Sequence, residues 1–261
     1  MSDTLLVERD GGVATLTLNR PDSLNSLDTT LKLALMEVLP ELAADSAVRA
    51  IVLTGAGRAF CVGQDLREHV SNLDNAEPLN TVTEHYNPIT LALAEMPKPV
   101  VAAVRGAAAG AGASLALLAD FRIGGPSTSF LMAFARVGLA GDTGVSWTLP
   151  RLIGHAKATE LLMLAEPVKA DAALNLGLLT KLAEEDEQVL PQAQELAAKL
   201  AAGPTIAFGQ IKAELHKGAS VGLAKALAIE AVAQMVCGGT QDHKKSTIAF
   251  VNKEKAVFEG R

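Results

Sequence analysis

The chain has 261 residues, of which 49% are hydrophobic and 20% charged, with a formal net charge of −6. That acidic excess, with no basic face to offset it, excludes a nucleic-acid binder. No run reaches the roughly 18 apolar residues of a membrane span, and Cys61 and Cys237 are too few and too far apart for a disulfide framework or a zinc knuckle.

The N-terminus shows no apolar stretch behind a basic start, so a secreted chain is not expected; the expected compartment is the cytoplasm, with both thiols free and buried. Residues 5–9 and 13–18 read as a hairpin around Asp10-Gly11-Gly12. Asp28 is placed to cap a helix carrying Leu31, Leu35, Val38 and Leu42, bent at Pro40. Residues 50–54 read as a third strand, after which residues 55–57 turn into a segment ending Gly63-Gln64-Asp65-Leu66. A polar, mobile stretch is expected from Glu68 to about Glu84, with helix resuming through Ile89, Leu91 and Leu93.

Residues 98–120, KPVVAAVRGAAAGAGASLALLAD, are the most informative part of the chain. Val100, Val101 and Val104 mark a buried strand, and Arg105-Gly106 ends it. Residues 111–118 contain only Ala, Gly, Ser and Leu and read as a buried helix. The first N–H groups of a helix have no partner inside it, and small side chains let a ligand oxygen approach them. The stretch therefore reads either as a tightly packed helix or as an anion or oxyanion pocket. Its glycine spacing is not G-x-G-x-x-G, which argues against a nicotinamide site.

Residues 121–123 read as a strand, residues 129–135 lead to Gly141-Asp142-Thr143-Gly144, and helices are expected at 156–164 and 170–176, with Gly177 as a stop. Residues 178–182 read as a short strand. From about Val189 the character changes to helices at 189–201, 204–217, 221–236 and 242–253, with Pro204 in a first turn. Leu200, Ile206, Phe208, Ile211, Leu223, Leu227, Ile229 and Val232 give these helices more apolar surface than they can cover themselves, which points to burial against a neighbour.

Four segments stand in one order: LTLNRPDSLNSLD (16–28), VLTGAGRAFCVGQDL (52–66), KPVVAAVRGAAAGAGASLAL (98–117) and SFLMAFARVGLAGDTG (129–144). Together they resemble the crotonase, or enoyl-CoA hydratase/isomerase, superfamily over nearly the whole chain. The resemblance implies an α/β fold: a crotonase-like ββα spiral core over residues 1–190 with the acyl-CoA site, and an all-helical C-terminal trimerisation region over 191–261. It implies an acyl-CoA substrate and a homotrimer or hexamer (a dimer of trimers), with no nucleic-acid or membrane partner. No metal and no separate cofactor are expected, coenzyme A being part of the substrate. The implied oxyanion hole is the pair of backbone N–H groups of Gln64 and Ala111, the latter where the family more often has glycine. Two such donors on a thioester oxygen are worth a factor of about 10² to 10³ each. The coenzyme would lie along Asp22, Ser23 and Leu24 and the segment of Val62, Asp65 and Leu66. Arg58 would meet a phosphate, as would Lys253 with Phe250 from a neighbouring subunit. Arg58 and Lys253 also suit solvated surface charges.

The departures decide more than the matches. The two glutamates that activate water in hydratases of this family would fall at Ser114 and Phe134, and neither side chain can act as a general base. Asp142 remains. Alone it suits a turn or cap aspartate; its position matches the aspartate of the branch resembling 1,2-epoxyphenylacetyl-CoA isomerase. That branch also shares segments similar to 58–66, 86–88 and 131–139. The same position carries the nucleophile of 4-chlorobenzoyl-CoA dehalogenases, whose histidine base would stand near Asn87, two residues from His85. The resulting expectation is an acyl-CoA isomerase in which Asp142 moves a proton between carbons within walls formed by Phe130, Met132 and Phe134. Enoyl-CoA hydration, hydrolytic dehalogenation and non-catalytic acyl-CoA binding stay open as alternatives.

Overall fold

The computed structural model describes residues 3–71, 73 and 79–261. Strands β1 (Leu5–Asp10) and β2 (Val13–Leu18) pair antiparallel around Gly11 and Gly12, whose φ values of 52° and 86° suit a tight turn that side chains would resist. Helix α1 (Thr29–Ala44) starts where Asp28 accepts a hydrogen bond from Leu31 N–H at 2.8 Å and continues through Pro40.

The spiral then repeats one motif: a strand in a large sheet, a short strand in a second sheet, and a helix. β3 (Ala50–Gly55) and β4 (Ala59–Cys61) lead to α2 (Leu66–Ser71) and α3 (Asn87–Ala94). β5 (Val100–Val104) and β6 (Ala107–Ala109) lead to α4 (Ala111–Leu118). β7 (Phe121–Gly124) and β8 (Ser129–Leu131) lead through a 3-10 turn (Ala133–Val137) to α5 (Val145–Ile153) and α6 (His155–Leu164). β9 (Val168–Lys169), α7 (Ala170–Leu176) and β10 (Lys181–Leu182) close the core. The large sheet runs β1-β2-β3-β5-β7-β10 and the small one β4-β6-β8-β9. This is the expected crotonase-like α/β architecture.

The central strands are buried on both faces, which is why they read as unbroken apolar runs. Leu16, Ile51, Leu53, Ala102 and Val104 pack with α1, α3 and α4 in the main core. Their alternates Val52, Val101, Ala103 and Ile123 face Ala193, Ala197 and Ala201 of α8 (Val189–Ala201). Helix α8 thus lies on the sheet, although it begins where the all-helical region was expected. α9 (Thr205–Gly218), α10 (Leu223–Gly238) and α11 (Gln241–Val251) follow. Among the described residues no helix is long and apolar enough to cross a membrane.

Several local expectations need correction. Strand β6 and helix α5 were not foreseen, and the strand expected at 178–182 shrinks to two residues. The segment expected to be polar and mobile begins as helix α2 and ends in a π-helical turn (Val82–Tyr86); 72 and 74–78 lie outside the described residues. Pro204 sits at the N-cap of α9 rather than in its first turn, and Cys237 is half-buried while Cys61 is fully buried.

Candidate active site

Glycine 63 brings two main-chain donors together. Its φ of 89° is one that side chains resist, and a Cβ there would sit 2.9 Å from the Ala109 carbonyl oxygen and 3.2 Å from the Ala111 nitrogen. The peptide joining Gly63 to Gln64 therefore lies directly against the start of α4. Leu27 N–H donates to the Gly63 carbonyl at 2.7 Å. A trans peptide points its C=O and N–H in opposite directions, so this bond turns the Gln64 N–H away from Leu27. Ala111 is the first residue of α4, after Gly110 at φ 50°, and its N–H has no acceptor within the helix. Among the described residues neither N–H meets a protein acceptor.

Asp142 lies beside the same helix. Ser114, fully buried one turn into α4, donates its hydroxyl to the Gly110 carbonyl at 3.2 Å and, more weakly, to the Asp142 carbonyl at 3.4 Å. The neighbouring Thr143 has φ 52° and donates its hydroxyl to Asp142 Oδ1 at 2.9 Å. Gly141 packs near the Phe134 ring and Gly144 against Thr90 and Leu118. The Asp142 carboxyl is half-buried, and burial pushes its pKa above the ordinary aspartate range, with the Thr143 hydroxyl pulling partly back. Ser114 and Phe134 are both buried, and Phe130 and Met132 are sealed in the main core. Among the described residues no group of three or more His, Cys, Asp or Glu is placed to hold a metal.

The residues expected to meet the coenzyme divide into two sets. Leu24 and Asn25 take positive φ after the 3-10 turn Pro21–Ser23. The Asn25 amide donates to the carbonyls of Ala56 and Ala59, and Val62 N–H donates to the Leu24 carbonyl at 3.2 Å. These bonds bring Asp22, Ser23, Leu24, Arg58 and Val62 to one edge, with Asp22 and Arg58 exposed. Asp65 is turned inward: Arg20 bonds its Oδ2 at 2.9 Å and Ser26 at 3.0 Å. Burial alone would raise its pKa, but these donors and the Arg67 N–H outweigh it and hold the carboxyl below its usual range. Leu66 is exposed at the start of α2. Phe250 and Lys253 are exposed at the far end of α11, and no hydrogen bond or ion pair among the described residues ties them to this edge.

One group figures in the resemblance only as part of residues 86–88, with no role assigned to it. Tyr86, the chain's single tyrosine, closes the π-helical turn, is 1% exposed, and donates its hydroxyl to Gln64 Oε1. Burial drives its phenol well above the usual range, and the charge of Asp142 adds to that. Beside it the buried Lys32 ammonium lies 5.5 Å from the ring centroid and bonds Glu68 at 3.1 Å and Thr81 at 2.8 Å. His85 Nδ1 is 3.1 Å from the same Thr81 hydroxyl. The available signal was a lone Tyr ahead of Asn-Pro, immediately before helix α3. A cleft of about 720 Å³ lies elsewhere, lined by residues from Leu117 to Arg122, α5 and α9, and contains none of these groups.

Residues 8–261 match the family model described as enoyl-CoA hydratase/isomerase. The chain is 39% identical to the 1,2-epoxyphenylacetyl-CoA isomerase of Escherichia coli K12, covering 100% of both chains. It is 41% identical to a probable enoyl-CoA hydratase of Rhodobacter capsulatus, over 99% of this chain and 98% of that one. A solved structure of enoyl-CoA hydratase/isomerase type from Mycobacterium abscessus superposes with a TM-score of 0.94 at 43% identity, covering 98% of this chain and 100% of that chain.

Proposed function

Because the chain belongs to the enoyl-CoA hydratase/isomerase family, we propose that it is an acyl-CoA isomerase in which Asp142 is the proton carrier. The observation that carries this reading is a half-buried carboxyl with raised pKa beside α4, where Ser114 and Phe134 stand in place of the hydratase glutamates. Relatives are named both as isomerase and as hydratase, so the distinction rests on these residues.

In the proposed reaction the thioester oxygen sits between the N–H groups of Gln64 and Ala111. These donors stabilise the enolate that forms when a proton leaves the acyl chain, a role that costs no reorganisation because both are already fixed. Asp142 takes that proton from one carbon and returns it to another, or protonates the oxygen of a strained ring as it opens. A carboxyl whose pKa is raised by burial suits both halves of such a transfer. Coenzyme A would follow the edge formed by Asp22, Ser23, Leu24, Arg58 and Val62, with its thioester toward Gln64.

The test uses purified protein and a 3-enoyl-CoA. Conversion to the 2-enoyl isomer is expected, with Asp142→Asn losing at least about 10²-fold in kcat while still binding the thioester. The kcat/KM of the unaltered enzyme should rise with pH along a limb lying above the ordinary aspartate range, since Asp142 must be ionised to accept the proton. Hydration of crotonyl-CoA should be slow or absent. Full turnover by Asp142→Asn, or rapid hydration, overturns the reading.

A further inference from the structure

The Gln64 donor is held by its main chain on one side only. Leu27 N–H bonds the Gly63 carbonyl at 2.7 Å, and Asp65 N–H bonds the Leu27 carbonyl at 3.1 Å, an isolated parallel bridge with no longer strand behind it. Gln64 itself is half-buried and lies between the φ 89° of Gly63 and the first turn of α2. Its side chain accepts a separate hydrogen bond from the Tyr86 hydroxyl.

Several features make that second anchor stiff. The Tyr86 side chain is 1% exposed within the main core, and such enclosure leaves its ring little room to turn. It ends the π-helical turn Val82–Tyr86, an element frequent at functional sites. Lys32 holds the ring's face while its ammonium is tied to Glu68 and Thr81. A phenol buried this deeply needs a hydrogen-bond partner, and the Gln64 side chain supplies it.

We propose that Tyr86 is a positioning residue for the oxyanion donor: by gripping the Gln64 side chain from α3's side, its hydroxyl completes the clamp that aims the Gln64 N–H at the thioester oxygen. This rests on the oxyanion role proposed for Gln64. It requires no contact between Tyr86 and substrate. Loss of the grip lets the Gln64 peptide rock about its single bridge, and small misplacements of a catalytic donor are costly.

The experiment compares Tyr86→Phe, Gln64→Met and the double variant. Gln64→Met removes the side-chain acceptor and keeps the backbone N–H. Each single variant should lose about tenfold in kcat with KM little changed, and the double variant should lose no more than either one. A merely structural role would not move a second readout, the carbonyl stretch of a bound aromatic enoyl thioester such as cinnamoyl-CoA. That band should shift back toward its free value in all three proteins, with binding and Tm retained. Unchanged kcat, losses that multiply in the double variant, or an unmoved band overturns the proposal. If Tyr86→Phe does not fold, Gln64→Met alone decides, since its carbonyl band must still shift. Asp142→Asn keeps the clamp, so full turnover there would remove the isomerase mechanism while leaving the carbonyl result to judge Tyr86.

Discussion

At the scale of the residue, the site sets two aspartates in opposite environments. Asp65 is wrapped by donors from Arg20, Ser26 and the Arg67 backbone, which favour its charge. Asp142 has one hydroxyl, that of Thr143, against a burial that disfavours charge. The first is held in its ionised form by those donors; the second sits where burial favours the neutral form, which suits the proton exchange proposed for it. A raised pKa also implies a cost to the fold. Where Asp142 is ionised the native state is penalised, and the penalty disappears once the pH falls below the ordinary aspartate range. Asp142→Asn keeps an oxygen for the Thr143 hydroxyl and removes the charge. The variant should therefore melt at a higher temperature than the parent at pH 8, with the difference vanishing below about pH 4. Thermal melts across that range check the sign; a lower Tm at pH 8 would show that the carboxylate is a stabilising part of the turn.

At the scale of the element, α4 governs the site, and its position depends on glycine 112. A Cβ there would lie 2.2 Å from the Cys61 carbonyl oxygen and 2.7 Å from its sulfur. The obstruction is backbone, so it cannot be relieved by a rotamer. Gly112→Ala should push α4 off β4, with a stability loss of about 3 kcal/mol or a failure to fold, read by chemical denaturation. This helix was legible to the residue, because a nine-residue run of Ala, Gly, Ser and Leu between Gly110 and Asp120 has few other ways to be buried. The hairpin and the Asp28 cap were legible for similarly local reasons. Strand β6 was not: three alanines have no strand preference of their own, and pairing with β4 and β8 imposes the conformation. Helix α5 was hidden by Pro150, whose missing N–H would have reached Ser146, a residue exposed to solvent. The site divides the same way. The Gln64 and Ala111 positions followed from resemblance together with the small-residue helix start. The Tyr86–Gln64 contact did not, since it joins residues 22 positions apart through a π-turn that no periodicity signals.

At the scale of the whole molecule, the C-terminal helices leave apolar surface uncovered, but only part of it where expected. Ile211, Leu223, Leu227 and Val232 are exposed, whereas Leu200 packs with the rest of α8 on the sheet and Ile206, Phe208 and Ile229 are half-buried. Leu223, Met235, Phe250 and Val251 are each at least three-quarters exposed, and Leu215, Val232 and Ile248 are more than half exposed. These residues lie on α9, α10 and α11, whereas α8 has its alanine face on the sheet. Monomeric proteins rarely leave so much apolar surface on consecutive elements. Self-association is therefore the expected state, with light scattering giving an integral multiple of the 27.1 kDa chain. The same surface bears on binding. Among the described residues no hydrogen bond or ion pair ties Phe250 or Lys253 to the Asp22–Arg58 edge of their own chain, in keeping with the expectation that a neighbouring subunit presents them to the coenzyme. Lys253 is exposed, so its effect should be a screened, salt-dependent contact with a phosphate rather than a large one. Lys253→Ala should raise KM for an acyl-CoA by about threefold at low salt, and leave KM for the corresponding acyl-pantetheine, which has no nucleotide, unchanged. An equal change for both thioesters would place Lys253 outside the site, and a monomeric mass at working concentration would leave no subunit to supply it.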